Sequence, residues 1–352
     1  MYNCYDYTRP YWTGDTMLHE MFWPIGERVV KTLFPIEEIY DVRSADTLTR
    51  FEAGKDYLLR DGCLVIPEDS RIVVMPYSDY NPAEPKPELT SGANFTCING
   101  GYLRFAEGNA LHKIQYEISY RHSGRWDGPI PAFDEAALPR TRRLLAEGRP
   151  FRLGYLGDSI CVGANASGLC DIQPYTPIWP QMVRERLEQL SGCAIAYRNQ
   201  AVGGTTSGWG REHATEFFAD FPADLFVIAF GMNDASGGVA PEVFLDNCAD
   251  IARQIRAISP ECEFVFVSTT LPNPLANQFS HGDSHTVHEG LLDGLTKTYG
   301  ASAVLAPVTS MHRYLLTKKH FWDMTGNNIN HPNDFLVRVY AQTLLRVIAG
   351  AF

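Results

Sequence analysis

From Phe151 onward, short apolar runs alternate with amphipathic stretches. Apolar runs of this length, bounded by turn residues, are typical of strands that are buried on both faces of a sheet. The predicted strands are 151–156, 194–199, 225–230, 264–268 and 303–307. The predicted helices are 179–190, 210–218, 241–258, 285–299 and 332–348. Strands that alternate with helices in this way predict a parallel, doubly wound α/β sheet.

Residues 1 to about 125 follow a different pattern, in which apolar and polar positions alternate over short runs. Turn clusters such as Asp61-Gly62 and Asn99-Gly100-Gly101 separate these runs. Short strands between such turns favour an antiparallel β-sandwich or jelly roll. The predicted strands of this part are 57–60, 63–67, 71–75, 102–105 and 114–120.

The two patterns meet between about residues 126 and 150. A Gly- and Pro-containing connector at 127–132 precedes a stretch of helical composition at 135–147. We therefore expect two domains, a β-rich accessory domain over 1–140 and an α/β domain over 150–352, which suits a chain of 352 residues.

Charge and composition narrow the class of partner. The formal net charge of −11 argues against nucleic acid or an anionic membrane surface. The N-terminus has neither a basic region nor an apolar run like those of secretory leaders, and no run approaches the length of a membrane span. The eight cysteines form no CxxC pair, and we expect them to be buried free thiols. We expect a soluble cytoplasmic protein; homo-oligomerisation stays open.

Polar turns follow the first three strands of the α/β part. They are Gly157-Asp158-Ser159, the stretch from Asn199 to Thr206, and Gly231-Met232-Asn233-Asp234. The carboxyl ends of parallel strands share one rim of the sheet, where ligands of α/β proteins bind. Ser159, Gly204 and Asn233 can therefore converge.

A candidate base lies further along the chain, in Asn330-His331-Pro332. A proline suits the first turn of a helix, so we expect His331 at or just before the cap of the last helix, facing the rim. A serine hydroxyl needs such a base to act as a nucleophile. A glycine N–H and an asparagine amide, with the N–H of Ser159, can supply an oxyanion hole.

These four blocks, in this order, resemble those of the SGNH (GDSL-type) hydrolases. The resemblance covers about 151–352 and implies a flavodoxin-like sheet and a serine esterase mechanism without metal or organic cofactor. It implies Ser159 as nucleophile, His331 as base, and Gly204 and Asn233 as oxyanion donors. The N-terminal part is similar in architecture to the jelly-roll modules found ahead of some SGNH carbohydrate acetylesterases.

One position departs from the family pattern. The family usually has an aspartate three residues before its histidine, where this chain has Asn328. Asp323 is one candidate for the orienting acid, and Asp334 is another, although an acid at that position also suits a helix cap. The third alternative is a Ser–His dyad in which a backbone carbonyl orients His331.

Other polar residues have simpler interpretations. Asp158 and Asp234 suit support of their turns. His281, His285 and His288 lie close together, but their spacing matches no strong metal motif, so a polar loop and helix start is favoured.

The sequence thus predicts an esterase that cleaves short acyl groups, acetyl above all, from a small-molecule or oligosaccharide ester. The alternatives are an acyltransferase that uses the same site, a lipase-like esterase, and a non-catalytic carbohydrate-binding protein.

Overall fold

The computed structural model describes residues 3–86, 94–279 and 284–350. Its N-terminal part consists of small antiparallel sheets, which confirms the predicted β-rich region. The strands are β1 (Thr16–Phe22), β2 (Val29–Val30), β3 (Ile36–Ser44), β4 (Leu58–Arg60), β5 (Cys63–Val65), β6 (Phe95–Thr96), β7 (Tyr102–Leu103) and β8 (Tyr116–His122). They form three sheets in the orders β1-β8-β3, β2-β5-β4 and β6-β7.

The sequence pattern missed β1 and β3, the longest strands of this part with β8. The register of β1 against β8 shifts between Met17 and Glu20, where His19 takes a positive φ of 52°. The pairing of β3 with β8 shifts twice. Such bulges break the two-residue alternation on which strand prediction depends.

The predicted strand at 71–75 is wrong. Side-chain oxygens bond its backbone N–H groups where a ladder would be expected: Asp56 accepts from Arg71, Ser70 from Ile72, and Tyr116 from Val73.

The second part contains the predicted parallel sheet, which positions the candidate site. Its strands are β9 (Phe151–Gly157), β10 (Ile195–Asn199), β11 (Leu225–Ala229), β12 (Glu263–Val267) and β13 (Ala303–Ala306). Every predicted strand end lies within one residue of the observed end. The order β10-β9-β11-β12-β13 is flavodoxin-like, with the reversal of strand order beside β9.

Two short helices lie in the N-terminal part, and the others accompany the parallel sheet. They are α1 (Cys4–Thr8), α2 (Tyr77–Tyr80), α3 (Pro139–Ala146), α4 (Ser159–Val162), α5 (Trp179–Ser191), α6 (Ser207–Phe218), α7 (Met232–Ser236), α8 (Pro241–Ile258), α9 (Ser284–Tyr299), α10 (Val308–Leu315) and α11 (Asp334–Ala349). None of the helices in the described ranges combines the length and the hydrophobicity that a membrane span requires.

The start of α11 corrects the expected position of Pro332. Asn333 is the N-cap, and its side chain accepts a hydrogen bond from the N–H of Leu336. Pro332 precedes the cap and forms a β-bridge with Thr325. His331 therefore lies in a closed loop before α11.

The hydrophobic core crosses the predicted boundary. One cluster contains Phe22 and Ile118 from the N-terminal sheet together with Leu315 of α10 and Phe335 of α11. The buried guanidinium of Arg338 also donates to the carbonyls of Tyr7, Leu18 and His19. The division into 1–140 and 150–352 stays a prediction, and the two parts share buried contacts.

Candidate active site

Ser159 is the first residue of α4, and only Asp158 separates it from the end of β9. Asp158 caps this helix, because its Oδ1 accepts a hydrogen bond from the N–H of Ile160 at 2.9 Å. The indole N–H of Trp179 donates to the carbonyl of Ile160 at 2.8 Å, which stabilises the same turn. The serine is only 8% exposed. Its backbone N–H lies at a helix start, where such groups have no acceptor within the helix.

His331 lies against this serine. Its Nε2 is 2.9 Å from Ser159 Oγ. The loop before α11 fixes the backbone of His331 on both sides: Gly326 N and Thr325 Oγ1 donate to its carbonyl, and its own N–H donates to Asn327 Oδ1. The structure thus brings together two residues that are 172 positions apart.

The other imidazole nitrogen meets Asn165. Asn165 Oδ1 lies 2.7 Å from His331 Nδ1. The Nδ2 group of Asn165 donates to the carbonyls of Gly108 and Gly326, which fixes the orientation of the amide. Because Oδ1 can only accept, Nδ1 must carry the proton in the neutral ring, and Nε2 then offers its lone pair to Ser159. This is the tautomer that a general base requires.

A carboxylate from the N-terminal part also reaches Nδ1. Glu107 Oε2 lies 3.3 Å from His331 Nδ1, and Glu107 Oε1 accepts a hydrogen bond from Asn327 Nδ2 at 3.0 Å. Burial by itself raises the pKa of Glu107, but its hydrogen bonds and the charge of His331 outweigh burial and lower that pKa. Its side chain is 51% exposed, so solvent screens this interaction.

Sequence reasoning missed both Asn165 and Glu107. Asn165 lies six residues after Ser159 in an irregular turn and has a positive φ of 66°. Glu107 is 224 positions from His331 in the other part of the chain. The sequence feature that could have drawn attention to Glu107 is the Glu107-Gly108 turn between predicted strands, and such turns are too common to indicate a functional residue.

The predicted acids are engaged elsewhere, which corrects the assignment of Asp323. The Asp323 carboxylate accepts from the N–H groups of Trp23 and His320, and burial raises its pKa to about 6. The Asp334 carboxylate accepts from the N–H and hydroxyl of Ser167.

Asn328 also turns away from His331. Its Oδ1 accepts from Tyr80 and Asn273, and its Nδ2 donates to the carbonyl of Arg104. The dyad alternative expected a backbone carbonyl on Nδ1, where the structure has side-chain oxygens of Asn165 and Glu107.

The candidate oxyanion donors surround the turn after β10. Gly204 has a positive φ of 78°, a conformation that favours glycine. A Cβ at Gly203 would lie 3.7 Å from Ser159 Cβ, whereas one at Gly204 would meet nothing within 4 Å. Asn233 Nδ2 donates to the carbonyl of Thr205 at 2.8 Å, which places Asn233 beside the turn that contains Gly204.

Two buried carboxylates, those of Asp158 and Asp234, stabilise the turns after β9 and β10. Burial raises the pKa of Asp158 to about 7; the N–H of Ile160 opposes this shift and the charge of Asp234 adds to it. Asp234 accepts from the N–H and hydroxyl of Ser207 at the start of α6, and burial raises its pKa as well. Both residues brace turns, as expected.

The histidine group after β12 is only partly described. His281 lies outside the described residues, while His285 and His288 are buried in α9. Within the described ranges, no group of three or more His, Cys, Asp or Glu side chains is arranged to hold a metal ion.

Residues 155–334 match the sequence model of the GDSL-like lipase/acylhydrolase family. No curated protein matches the chain. Similar solved structures include a two-domain esterase active on acetylated mannans (20% identity, 60% of this chain, 52% of that chain, TM-score 0.48). The chain thus spans about half the length of that esterase. Others are TesA (19% identity, 56% of this chain, 98% of that chain, TM-score 0.44) and a catalytic mutant of Axe2, an acetylxylan esterase from Geobacillus stearothermophilus (12% identity, 56% of this chain, 94% of that chain, TM-score 0.47).

Proposed function

The chain belongs to the GDSL-like lipase/acylhydrolase family, and from this premise we propose that it is a serine esterase acting through an acyl-enzyme on Ser159. The observation that carries the proposal is the 2.9 Å contact between Ser159 Oγ and His331 Nε2. A serine and a histidine in this contact, with Nε2 as the acceptor, are equipped for nucleophilic catalysis.

In the proposed reaction, Ser159 Oγ attacks the ester carbonyl carbon while His331 Nε2 takes the hydroxyl proton. The N–H groups of Ser159 and Gly204 and the Asn233 amide stabilise the negative oxygen of the tetrahedral intermediate. The intermediate collapses, the carbon–oxygen bond to the alcohol breaks, and the imidazolium gives its proton to the departing alcohol. His331 then activates a water, which releases the carboxylic acid and regenerates the serine.

We propose that the substrate is a short-chain ester, acetyl above all, of a carbohydrate or a similar hydroxyl-rich alcohol. The alcohol must leave beside His331, because His331 returns the proton to it. The exposed surroundings of His331 are polar and include the half-exposed Glu107 and the partly exposed Asn330. Such groups suit hydroxyl-bearing leaving groups better than an acyl chain.

Hydrolysis of p-nitrophenyl acetate, p-nitrophenyl octanoate, acetylated sugars and acetylated xylan fragments tests this function. We expect acetyl esters to be cleaved faster than octanoyl esters and Ser159→Ala to remove activity without unfolding the protein. Ser259→Ala is the matched control, because Ser259 lies before the amino end of β12, whereas Ser159 follows the carboxyl end of β9. Activity retained by Ser159→Ala would overturn the mechanism, and a preference for octanoyl esters would overturn the substrate class.

A further inference from the structure

We propose that Glu107 is a positioning residue for His331, and that with Asn165 it shares the role of the single orienting aspartate of a Ser–His–Asp triad. The N-terminal part of the chain would then complete the catalytic centre. This inference rests on the proposed esterase function and concerns how its base is held and charged.

The two partners of Nδ1 offer different chemistry. Asn165 makes the shorter contact, at 2.7 Å, and its amide is fixed by the carbonyls of Gly108 and Gly326. It sets the tautomer and the ring plane but carries no charge. Glu107, at 3.3 Å, supplies the negative charge that stabilises the imidazolium formed when Ser159 gives up its proton.

The position of Glu107 is fixed by its surroundings, although its side chain is half exposed. Asn327, in the loop that carries His331, donates to Oε1 and leaves Oε2 to face the ring. The segment around Glu107 is also hydrogen-bonded to the loop after α4 and to the loop that carries His331. These bonds are Asn109 Nδ2 to Cys170 O, Asn165 Nδ2 to Gly108 O, Asn328 Nδ2 to Arg104 O, and Gln115 Nε2 to Thr325 O.

Other titratable groups among the described residues also act on this pair. Asp158, from the turn that carries the nucleophile, interacts electrostatically with His331, and the thiol of Cys170, from the loop after α4, with Glu107. Asn165 and Asn327 are neutral partners. Asp158 is fully buried behind the serine, whereas Glu107 approaches the ring from the solvent side. Removal of the Glu107 charge should therefore take away the negative charge that faces the imidazolium from the solvent side.

The experiment is the pH dependence of kcat/KM for p-nitrophenyl acetate in Glu107→Gln, which keeps the shape and an acceptor but loses the charge. Compared with the wild type, we expect kcat/KM at its optimum to fall about twofold to fivefold, which is the contribution of one partly exposed charge pair. We also expect the acidic limb of the profile to move to lower pH by roughly half a unit to one unit. A purely structural role would lower activity without moving that limb.

Three comparisons make the outcome decisive. Glu68→Gln removes the same charge at another exposed site of the N-terminal part and should leave the profile unchanged. Glu107→Asp retains the charge on a shorter arm and should keep the wild-type limb, which preserves the test if Glu107→Gln does not fold. Labelling by a fluorophosphonate reports whether Ser159 is an activated nucleophile in the wild type. If the wild type is labelled and active, and Glu107→Gln has the same pH profile as the wild type, this inference alone is overturned. If the wild type is neither labelled nor able to hydrolyse esters, the proposed function is overturned.

Discussion

Asn165 Oδ1 contacts His331 Nδ1 at 2.7 Å, on the side of the imidazole away from Ser159. An amide thus occupies the place where a Ser–His–Asp triad has a carboxylate. In place of Asn328, the side-chain oxygens that contact Nδ1 come from Asn165, in the loop after the nucleophile, and from Glu107, in the N-terminal part.

Asn165→Ala should lower kcat/KM by about 100-fold with little change in KM, because the ring loses the acceptor that selects its tautomer. The loss should exceed that of Glu107→Gln. Asn81→Ala is the matched control, since Asn81 Nδ2 also donates to two backbone carbonyls, those of Gly100 and Tyr102. Steady-state kinetics on p-nitrophenyl acetate measure both. A loss below about threefold in Asn165→Ala would contradict the orienting role.

Asp323→Asn should leave kcat/KM within about threefold of the wild type. The buried carboxylate accepts from two backbone N–H groups, and an amide can replace only one of these acceptors. We expect the cost to appear in stability, at about 1–3 kcal/mol of unfolding free energy. Urea denaturation and kinetics on the same sample measure the two effects. A stable variant with a 100-fold loss of activity would restore Asp323 as the acid.

Asn233→Ala should lower kcat by roughly 100- to 1000-fold with KM little changed, because an oxyanion donor acts on the transition state. Asn233 also donates to the carbonyl of Thr205, so a disturbed loop is the competing explanation. Thr205→Val controls for it by removing the bond from Thr205 Oγ1 to Val202 O without touching the proposed donors. Equal losses in the two variants would remove Asn233 from the oxyanion hole.

Asp158→Asn should change how stability depends on pH. Burial raises the pKa of Asp158 from 3.8 to about 7. The folded state therefore keeps a proton on this carboxyl at pH values at which the unfolded state has already lost it. The wild type should therefore lose unfolding free energy relative to Asp158→Asn as the pH rises from about 4 to about 7, by up to about 4 kcal/mol. Urea titrations of both proteins across this range give the difference. A constant difference would show that Asp158 is charged in the folded protein throughout.

The sequence predicted the parallel sheet well because its strands are buried on both faces and read as apolar runs. It predicted that Ser159, Gly204 and Asn233 converge because the ends of parallel strands share a rim, and it predicted His331 from its place next to Pro332 before the last helix. Contacts that depend on tertiary packing left no such pattern. Glu107 meets His331 across 224 positions, and Asn165 lies in an irregular turn. The bulges of β1 and β3 likewise removed the alternation that would have predicted them.

The most direct test of the central claim is mass-spectrometric mapping of the fluorophosphonate adduct. We predict one adduct, on Ser159, that is absent from Ser159→Ala and strongly reduced in His331→Ala, because His331 Nε2 lies 2.9 Å from the serine hydroxyl that it would activate. An adduct on another residue, or equal labelling of Ser159 with and without His331, would contradict it.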